Sequence, residues 1–392
     1  MSPFEQEVIG LKFLHCADLH LDMPFSAAGF TAEKSSVRRQ ELKDTFQRIV
    51  ELAKAEEVDA LFISGDLYEH DYVRKSTLSF INEKIKEIPD IKVFIVPGNH
   101  DPFIENSFYK KYKWADNVII LAEDNSFTVL EDHKACIYGA GFKNFYEDRS
   151  LVYDFGAVNP EYINILLLHG TVDMNFKQNM YNPVSSSSLA SLGMDYVALG
   201  HFHNRIDDLG GYGVIYNPGS PEPLGFDEPG EHGVFVGRVS KCGTGKKELQ
   251  IRFVKTGARR YAKIEVPVNG CENNRQVTEK IREKAVCGDL PGSLLHIVLK
   301  GYTHRDYRID IERVSANFRD MLFYLKIKDE TMPDYDFEGI KAEYGLKGLF
   351  TRKMLAMLDK SGDEYEKKLL TKALYYGLEA LEQGKVDIGD EL

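Results

Sequence analysis

Five times in the first 203 residues of the chain, a short apolar run stops abruptly at a cluster of polar, hydrogen-bonding residues. The first is LKFLHCADLHLD, an apolar strand that ends in a turn carrying Asp18, His20 and Asp22 in alternation. Extended backbone would put Asp18 and His20 on one side of that strand. The second, VDALFIS, runs into Gly65 and Asp66, and the third, IKVFIVPGNHD, breaks at Pro97 and Gly98 to present Asn99, His100 and Asp101. INILLLHG ends in His169, and MDYVALGHFH ends in His201 and His203, which would point the same way if the strand continued through them. Between the first three runs the period changes. RRQELKDTFQRIVELAKAEE places Leu42, Ile49, Val50 and Ala53 on one helical face, and STLSFINEKIKEI predicts a second helix.

Strands alternating with helices, with polar residues at the strand carboxyl ends, describe an α/β layer protein whose site lies at one sheet edge. This pattern predicts a first domain over residues 1–257, closed by antiparallel strands in GVIYNPGSPEPLGFDEPGEHGVFVGRV. The pattern then resets. A strand in RRYAKIEVPVNG, a helix near NNRQVTEKIREKAV, the strand SLLHIVLKGY, a short helix and the strand DMLFYLKIK predict a small α+β cap over residues 258–332. Residues 333–392 read as helical, with apolar stripes that suit docking on a partner, Leu346, Leu349, Phe350, Met354, Leu355 and Leu358 among them.

Composition narrows the class. A length of 392 residues exceeds what a single core normally organises, and 43% hydrophobic with 28% charged residues is the balance of a soluble globular chain. The start, MSPFEQEVIG, lacks a signal-peptide pattern and no apolar run reaches membrane-spanning length, so a cytoplasmic location is expected. Five cysteines (Cys16, Cys136, Cys242, Cys271, Cys287), never paired as C-x-x-C, argue against a disulfide framework or a zinc ribbon. A net charge of −12 excludes a wholesale polyanion-binding surface. One local basic strip remains: Arg238, Lys241, Lys246, Lys247, Arg252, Lys255, Arg259, Arg260 and Lys263, which reads equally as a phosphate track or as a solvated hairpin and linker.

Singly, a strand-end Asp is an Asx-turn former and a lone His an ordinary polar residue. Together, Asp18, His20, Asp66, Asn99, His169, His201 and His203 offer imidazole nitrogens and carboxylate or amide oxygens without thiolate, a set suited to borderline divalent ions. Seven donors exceed the needs of one ion. Two ions about 3.5–4 Å apart that share a carboxylate form the clamp used for phosphoester hydrolysis, neutralising the phosphodiester and acidifying a water. The blocks DLHLD, GDLY, GNHD, HG and GHFH, in this order, resemble those of the calcineurin-like metallophosphoesterases over about the first 220 residues. FLHCADLHLDMPF, the NPGSPEP turn, the cap and the helical tail are most similar to the SbcD/YhaO-type DNA repair exonucleases.

That resemblance implies a sandwich of two mixed sheets flanked by helices, and a site holding two divalent metal ions, Mn²⁺ first, with Fe²⁺, Zn²⁺ or Mg²⁺ as alternatives. It implies that Asp18, His20 and His203 hold one metal, that Asn99, His169 and His201 hold the other, and that Asp66 bridges them. His100 is then the catalytic histidine, with Asp101 either its orienting partner or a turn cap; Asp22 is either a distant ligand or a turn residue. DNA is the implied substrate, an SMC-like ATPase of the SbcC/YhaN type the implied partner through the C-terminal helices, and dimerisation a family expectation. The chain departs from the family at one point: the position three after Asp66, a second catalytic histidine in the best-known nucleases, is Glu69, and a histidine follows as His70. Two other readings stay open, a small-molecule phosphodiesterase or phosphatase on the same scaffold and a DNA-end-tethering subunit with weak catalysis. GDLYEHD lacks the arginine of the protein-phosphatase pattern GDxxDRG.

Overall fold

The computed structural model describes residues 9–26, 29–122, 126–152, 158–173, 181–242, 247–285 and 292–384. The chain divides into two compact units, Met1–Tyr261 and Ala262–Leu392.

In the first unit, strands β1 (Ile9–Cys16), β2 (Ala60–Ser64), β3 (Lys92–Val96) and β4 (Val118–Ile120) lie parallel, and β10 (Gly233–Lys241) and β11 (Lys247–Lys255) extend this sheet antiparallel beyond β1. A second sheet runs β5 (Ser126–Leu130), β6 (Ala135–Ala140), β7 (Ile163–His169), β8 (Tyr196–Gly200) and β9 (Ile215–Tyr216), parallel from β6 onward. The two-sheet sandwich flanked by helices is therefore the architecture of this unit.

The period-2 alternation explains the layers. Leu11 and Phe13 of β1 point into a core shared by both sheets with Phe62, Phe94, Ile137, Ile165, Leu167 and Tyr196. Leu14 and Cys16 face the other way, into a core formed with helix α1 (Ala32–Ala55) and helix α2 (Lys75–Lys86); two short helices come later in the unit, α3 (Phe108–Lys111) and α4 (Ser186–Ser191). Helix α1 starts where the Thr31 hydroxyl accepts the Lys34 N–H, with Glu33 in the first turn, and its buried stripe is Leu42, Phe46, Ile49, Val50 and Ala53. His15 is fully buried between the sheets, its Nδ1 2.8 Å from the Tyr196 hydroxyl and its Nε2 3.0 Å from the Leu199 carbonyl. Burial pushes its pKa down to about 3, so it is a neutral core residue and not part of the site.

Register places the functional loops together. Cys16 pairs with Ile63, Ser64 with Val96 and His169 with Gly200, so β1, β2, β3, β7 and β8 all end at one edge. Several apolar strand ends are thus brought level by hydrogen bonding, and the loops that follow them share one space.

The second unit holds β12 (Tyr261–Pro267, its first residue at the unit boundary), helix α5 (Asn274–Ala285), β13 (Leu294–His304), helix α6 (Ile311–Ala316) and β14 (Tyr324–Asp334), with sheet order β12-β13-β14. Three further helices follow: α7 (Phe337–Ala342), α8 (Leu346–Lys360) and α9 (Glu364–Gln383). The predicted docking face divides in two. Phe350, Met354, Leu355 and Leu358 pack against Leu374 and Leu378 within the unit, whereas Leu346 and Leu349 are exposed, together with Met357, Tyr365 and Leu369. The apolar stripe of α8 is wide enough to serve its own helical neighbour on one side, and only the remainder faces solvent.

Among the described residues Cys16, Cys136, Cys242 and Cys271 form no disulfide, and three of them are buried; Cys287 lies outside the described residues. Part of the basic strip is paired within the unit: Lys241 with Asp195 at 2.6 Å, Arg252 with Glu56 at 2.7 Å and Arg259 with Glu41 at 2.5 Å, while Arg238, Lys247, Lys255, Arg260 and Lys263 are exposed; Lys246 lies outside the described residues.

Candidate metal centre

The loops at the common edge do not continue the pleat. Asp18, His20, Asp66 and His201 all adopt positive φ, at 53°, 45°, 52° and 97°. Such backbone is costly for residues with a side chain and collects at functional sites. It corrects the expectation from strand alternation: Asp18 and His20 converge through left-handed turns, and His201 and His203 are sent to different neighbours. Hydrogen bonds fix the turns, with Asp18 N–H donating to the Gly65 carbonyl at 3.1 Å and His20 N–H to the Asp66 carbonyl at 2.9 Å. The close approach of the third loop needs Gly98, because a Cβ there would collide with the side chain and backbone of Asp66.

Asp66 is 1% exposed and sits at the middle of the cluster. Its Oδ1 accepts the His100 N–H at 2.9 Å. Its Oδ2 lies 3.2 Å from His169 Nε2 and 3.6 Å from His20 Nε2. On one side, His20 Nε2 is 3.2 Å from His203 Nε2, and His203 Nε2 is 4.0 Å from Asp18 Oδ1. On the other, His169 Nε2 is 3.0 Å from Asn99 Oδ1, and the His169 and His201 rings lie 5.2 Å apart. All seven predicted donors are brought together. Among the described residues three groups satisfy the spacing for a shared cation: Asp18 with His20 and His203, Asp18 with Asp66 and His169, and His20 with Glu69 and His100.

The opposite ring nitrogens are anchored. His20 Nδ1 is held by Glu69 at 2.7 Å, His203 Nδ1 by Glu228 at 2.7 Å, and His169 Nδ1 by the Ser64 carbonyl at 2.9 Å. Each anchor accepts a hydrogen bond from Nδ1–H and leaves Nε2 facing the shared space, the outer-shell arrangement that orients imidazoles toward a metal. The donor chemistry and its orientation therefore fit a pair of divalent cations.

Without metal, protons balance the carboxylates. Burial opposes the imidazolium form of His169, but the charge and hydrogen bond of Asp66 outweigh it and lift the pKa to about 9. His203 is likewise held near 9 against burial by Glu228 and Asp18. His201 goes the other way, to about 3, through burial and the positive charge of His169. Asp66 is held well below the usual carboxylate range: burial works against the charge, but His169 and His20 overcome it. Asp18 is pushed up by burial. Cations entering here would displace the protons on His169 and His203.

Two side chains of open standing find definite places. The Asp101 carboxylate accepts backbone N–H groups from Gly98 at 2.7 Å and Leu67 at 2.7 Å, and the Tyr109 hydroxyl at 2.6 Å; it shapes the two loops and does not orient the His100 ring. Asp22 accepts the Arg74 N–H at 2.9 Å, a contact across 52 residues that ties its loop to the start of helix α2. His100 is anchored instead by Glu69, at 2.9 Å from its Nδ1, and its side chain is 43% exposed. His70, one residue on, packs against Phe108 and Phe145 at ring distances of 5.6 and 5.8 Å. Glu228 escaped sequence reasoning. It sits in a Gly/Pro-rich loop, where only the conjunction of an acid with NPGSPEP before the last strands could have marked it.

The sequence profile of the calcineurin-like phosphoesterase family matches residues 11–205, the segment that supplies every one of these donors. Residues 11–205 are a calcineurin-like phosphoesterase domain. The chain is a hydrolase of the metal-dependent phosphoesterase class, a family built around a dinuclear divalent metal centre. It is similar to YhaO, an uncharacterized metallophosphoesterase of Bacillus subtilis (strain 168), with 26% identity over 87% of this chain and 86% of that one. It is also similar to the DNA double-strand break repair protein Mre11 of Methanopyrus kandleri, 23% identical over 85% of this chain and 76% of that one. The Mre11 protein of Saccharolobus solfataricus is 28% identical over 83% of this chain and 84% of that one. No helix among the described residues is long and apolar enough to cross a membrane.

Proposed function

We propose that this phosphoesterase is a DNA nuclease in which Asp18, His20 and His203 hold one divalent ion, Asn99, His169 and His201 hold a second, and Asp66 bridges them. The observation that carries the reading is the single oxygen Asp66 Oδ2 facing the Nε2 atoms of His20 and His169 from one buried position. Mn²⁺ is the proposed native ion, on the imidazole and oxygen donor set.

The bound ions supply positive charge to a phosphodiester and Lewis acidity to a water. The protein's own residues do the rest. Asp66 stays ionised in its buried place, which fixes the separation of the two sets of donors. Glu69, Glu228 and the Ser64 carbonyl keep three imidazoles aimed. His100 is anchored and is the most exposed histidine of the cluster, 43% against 31% for His203, so it can meet a phosphoryl or leaving oxygen and hold or give a proton there. In the metal-free protein its pKa is raised to about 9: burial opposes this, and the Glu69 hydrogen bond with the Asp66 charge prevails.

DNA as substrate is supported by the named role of the Mre11 relatives in double-strand break repair, which match 83–85% of this chain. A cytoplasmic exonuclease working with an SMC-like ATPase is the fuller form of the proposal. The exposed Leu346, Leu349, Met357, Tyr365 and Leu369 offer that partner an apolar contact. Purified protein with Mn²⁺ is expected to release nucleotides from labelled duplex or single-stranded DNA. Chelation should stop the reaction, and Asn99→Ala should slow it at least about 100-fold, since a ligand is lost. Hydrolysis of a chromogenic phosphodiester with DNA left intact would replace this reading by a small-molecule phosphodiesterase. DNA retention without turnover would make the chain a tethering subunit.

A further inference from the structure

Glu69 shares its carboxylate between two imidazoles on different loops. Its Oε1 accepts from His20 Nδ1 at 2.7 Å and its Oε2 from His100 Nδ1 at 2.9 Å. An ionised carboxylate only accepts, so both Nδ1 atoms carry protons and both Nε2 atoms point away from Glu69. The carboxylate is 12% exposed and His20 is 2% exposed, whereas the His100 side chain is 43% exposed. A buried anchor thus controls a ring that reaches solvent.

The backbone repeats the connection. Glu69 N–H donates to the Leu21 carbonyl at 3.0 Å, on the loop of His20, and His70 N–H donates to the His100 carbonyl at 3.0 Å. The rings of His20 and His100 are 4.7 Å apart. We propose that Glu69 is a positioning residue that ties the placement of His100 to that of His20, holding the loop of a metal ligand and the loop of the acid–base histidine in one register. The proposal rests on the reading of the centre given above and adds a residue to it. Glu228 serves as the internal comparison, because it holds His203 Nδ1 and is itself held by Ser220 Oγ and Leu224 N–H, both at 2.8 Å.

Glutamine cannot replace this clamp. Its amide offers one acceptor and one donor, so one of the two imidazole N–H groups would meet an N–H. The test uses the full chain with saturating Mn²⁺ and bis(p-nitrophenyl) phosphate. Glu69→Gln is expected to lower kcat roughly 100-fold with KM changed less than about threefold. In a His100→Ala background the same substitution should add no more than about fivefold, because the arm to His100 is already gone. Independently of turnover, the Nδ1–H proton of His100 should give a slowly exchanging NMR signal in the metal-free protein. That signal should vanish in Glu69→Gln and persist in Glu228→Gln.

Persistence of the signal in Glu69→Gln, or a full 100-fold loss added to His100→Ala, would overturn the proposal and leave Glu69 an anchor of His20 alone. Should Glu69→Gln lose its cooperative melt, Glu69→Asp, charged but one methylene shorter, is read on the same two signals. Wild-type turnover of the small ester with DNA untouched would sink the nuclease reading and leave this inference standing. If no ester is hydrolysed at all, the exchange signal still decides it.

Discussion

Asp66→Asn is expected to reduce Mn²⁺ stoichiometry from two ions per chain to one or fewer and to cut phosphodiester hydrolysis at least about 10³-fold, on the order of 4 kcal/mol of barrier. The substitution is nearly isosteric, so the packing of Gly98 against Asp66 is preserved. What changes is charge. Asp66 Oδ2 faces both His20 and His169, and an amide there offers either a weak neutral acceptor or an N–H pointed at the cations' position. Without the carboxylate, His169 also loses the partner that holds its pKa near 9 against burial. Equilibrium dialysis with elemental analysis gives the stoichiometry, and a thermal melt in chelator checks that the fold persists. Two ions retained with normal turnover would remove Asp66 from the bridging position.

His100→Ala should separate turnover from metal binding. Its ring donates to Glu69 and lies beside the cluster, yet it is not among the seven donors and its side chain is 43% exposed. Loss of a positioned acid–base group costs about 10²–10⁴-fold in rate, and the expected result is a fall of that size in kcat with two ions still bound. The melting temperature should shift little, because an exposed ring is removed and no cavity forms in the core. A rate within threefold of wild type would assign the proton transfer elsewhere. A lost ion would make His100 part of the ligand set.

The contrast between these variants follows from where the chain's information lies. The five strand ends were legible because short continuous apolar runs stopped by turn residues specify buried strands, and parallel pairing then brings their ends level, as Ser64 with Val96 and His169 with Gly200. Residue types alone marked Asp18, His20, Asp66, Asn99, His169, His201 and His203 as a hard-to-borderline donor set. The direction of each side chain was not legible. Strand alternation sent His201 and His203 the same way, but the positive φ of His201, like those of Asp18, His20 and Asp66, is a local turn that no periodicity encodes.

Anchors were harder still. Glu69 stood out as a departure from a pattern, but its two-handed grip depends on the distance between loops 31 residues apart in sequence. Glu228 had no signal beyond its loop, since a carboxylate in a turn is usually solvated. The basic strip shows a related limit: charge along the sequence does not reveal that Lys241, Arg252 and Arg259 face acids of their own unit. On the C-terminal helices an apolar stripe identified the helices but not how much of it their own packing consumes, as Phe350 and Leu358 turn inward while Leu346 and Leu349 do not.

The most direct test of the whole account is anomalous diffraction from crystals of the intact protein grown with Mn²⁺. Two peaks about 3.5–4 Å apart are expected, one beside Asp18, His20 and His203, the other beside Asn99, His169 and His201, with Asp66 reaching both. A single peak, or peaks remote from Asp66, would contradict this arrangement.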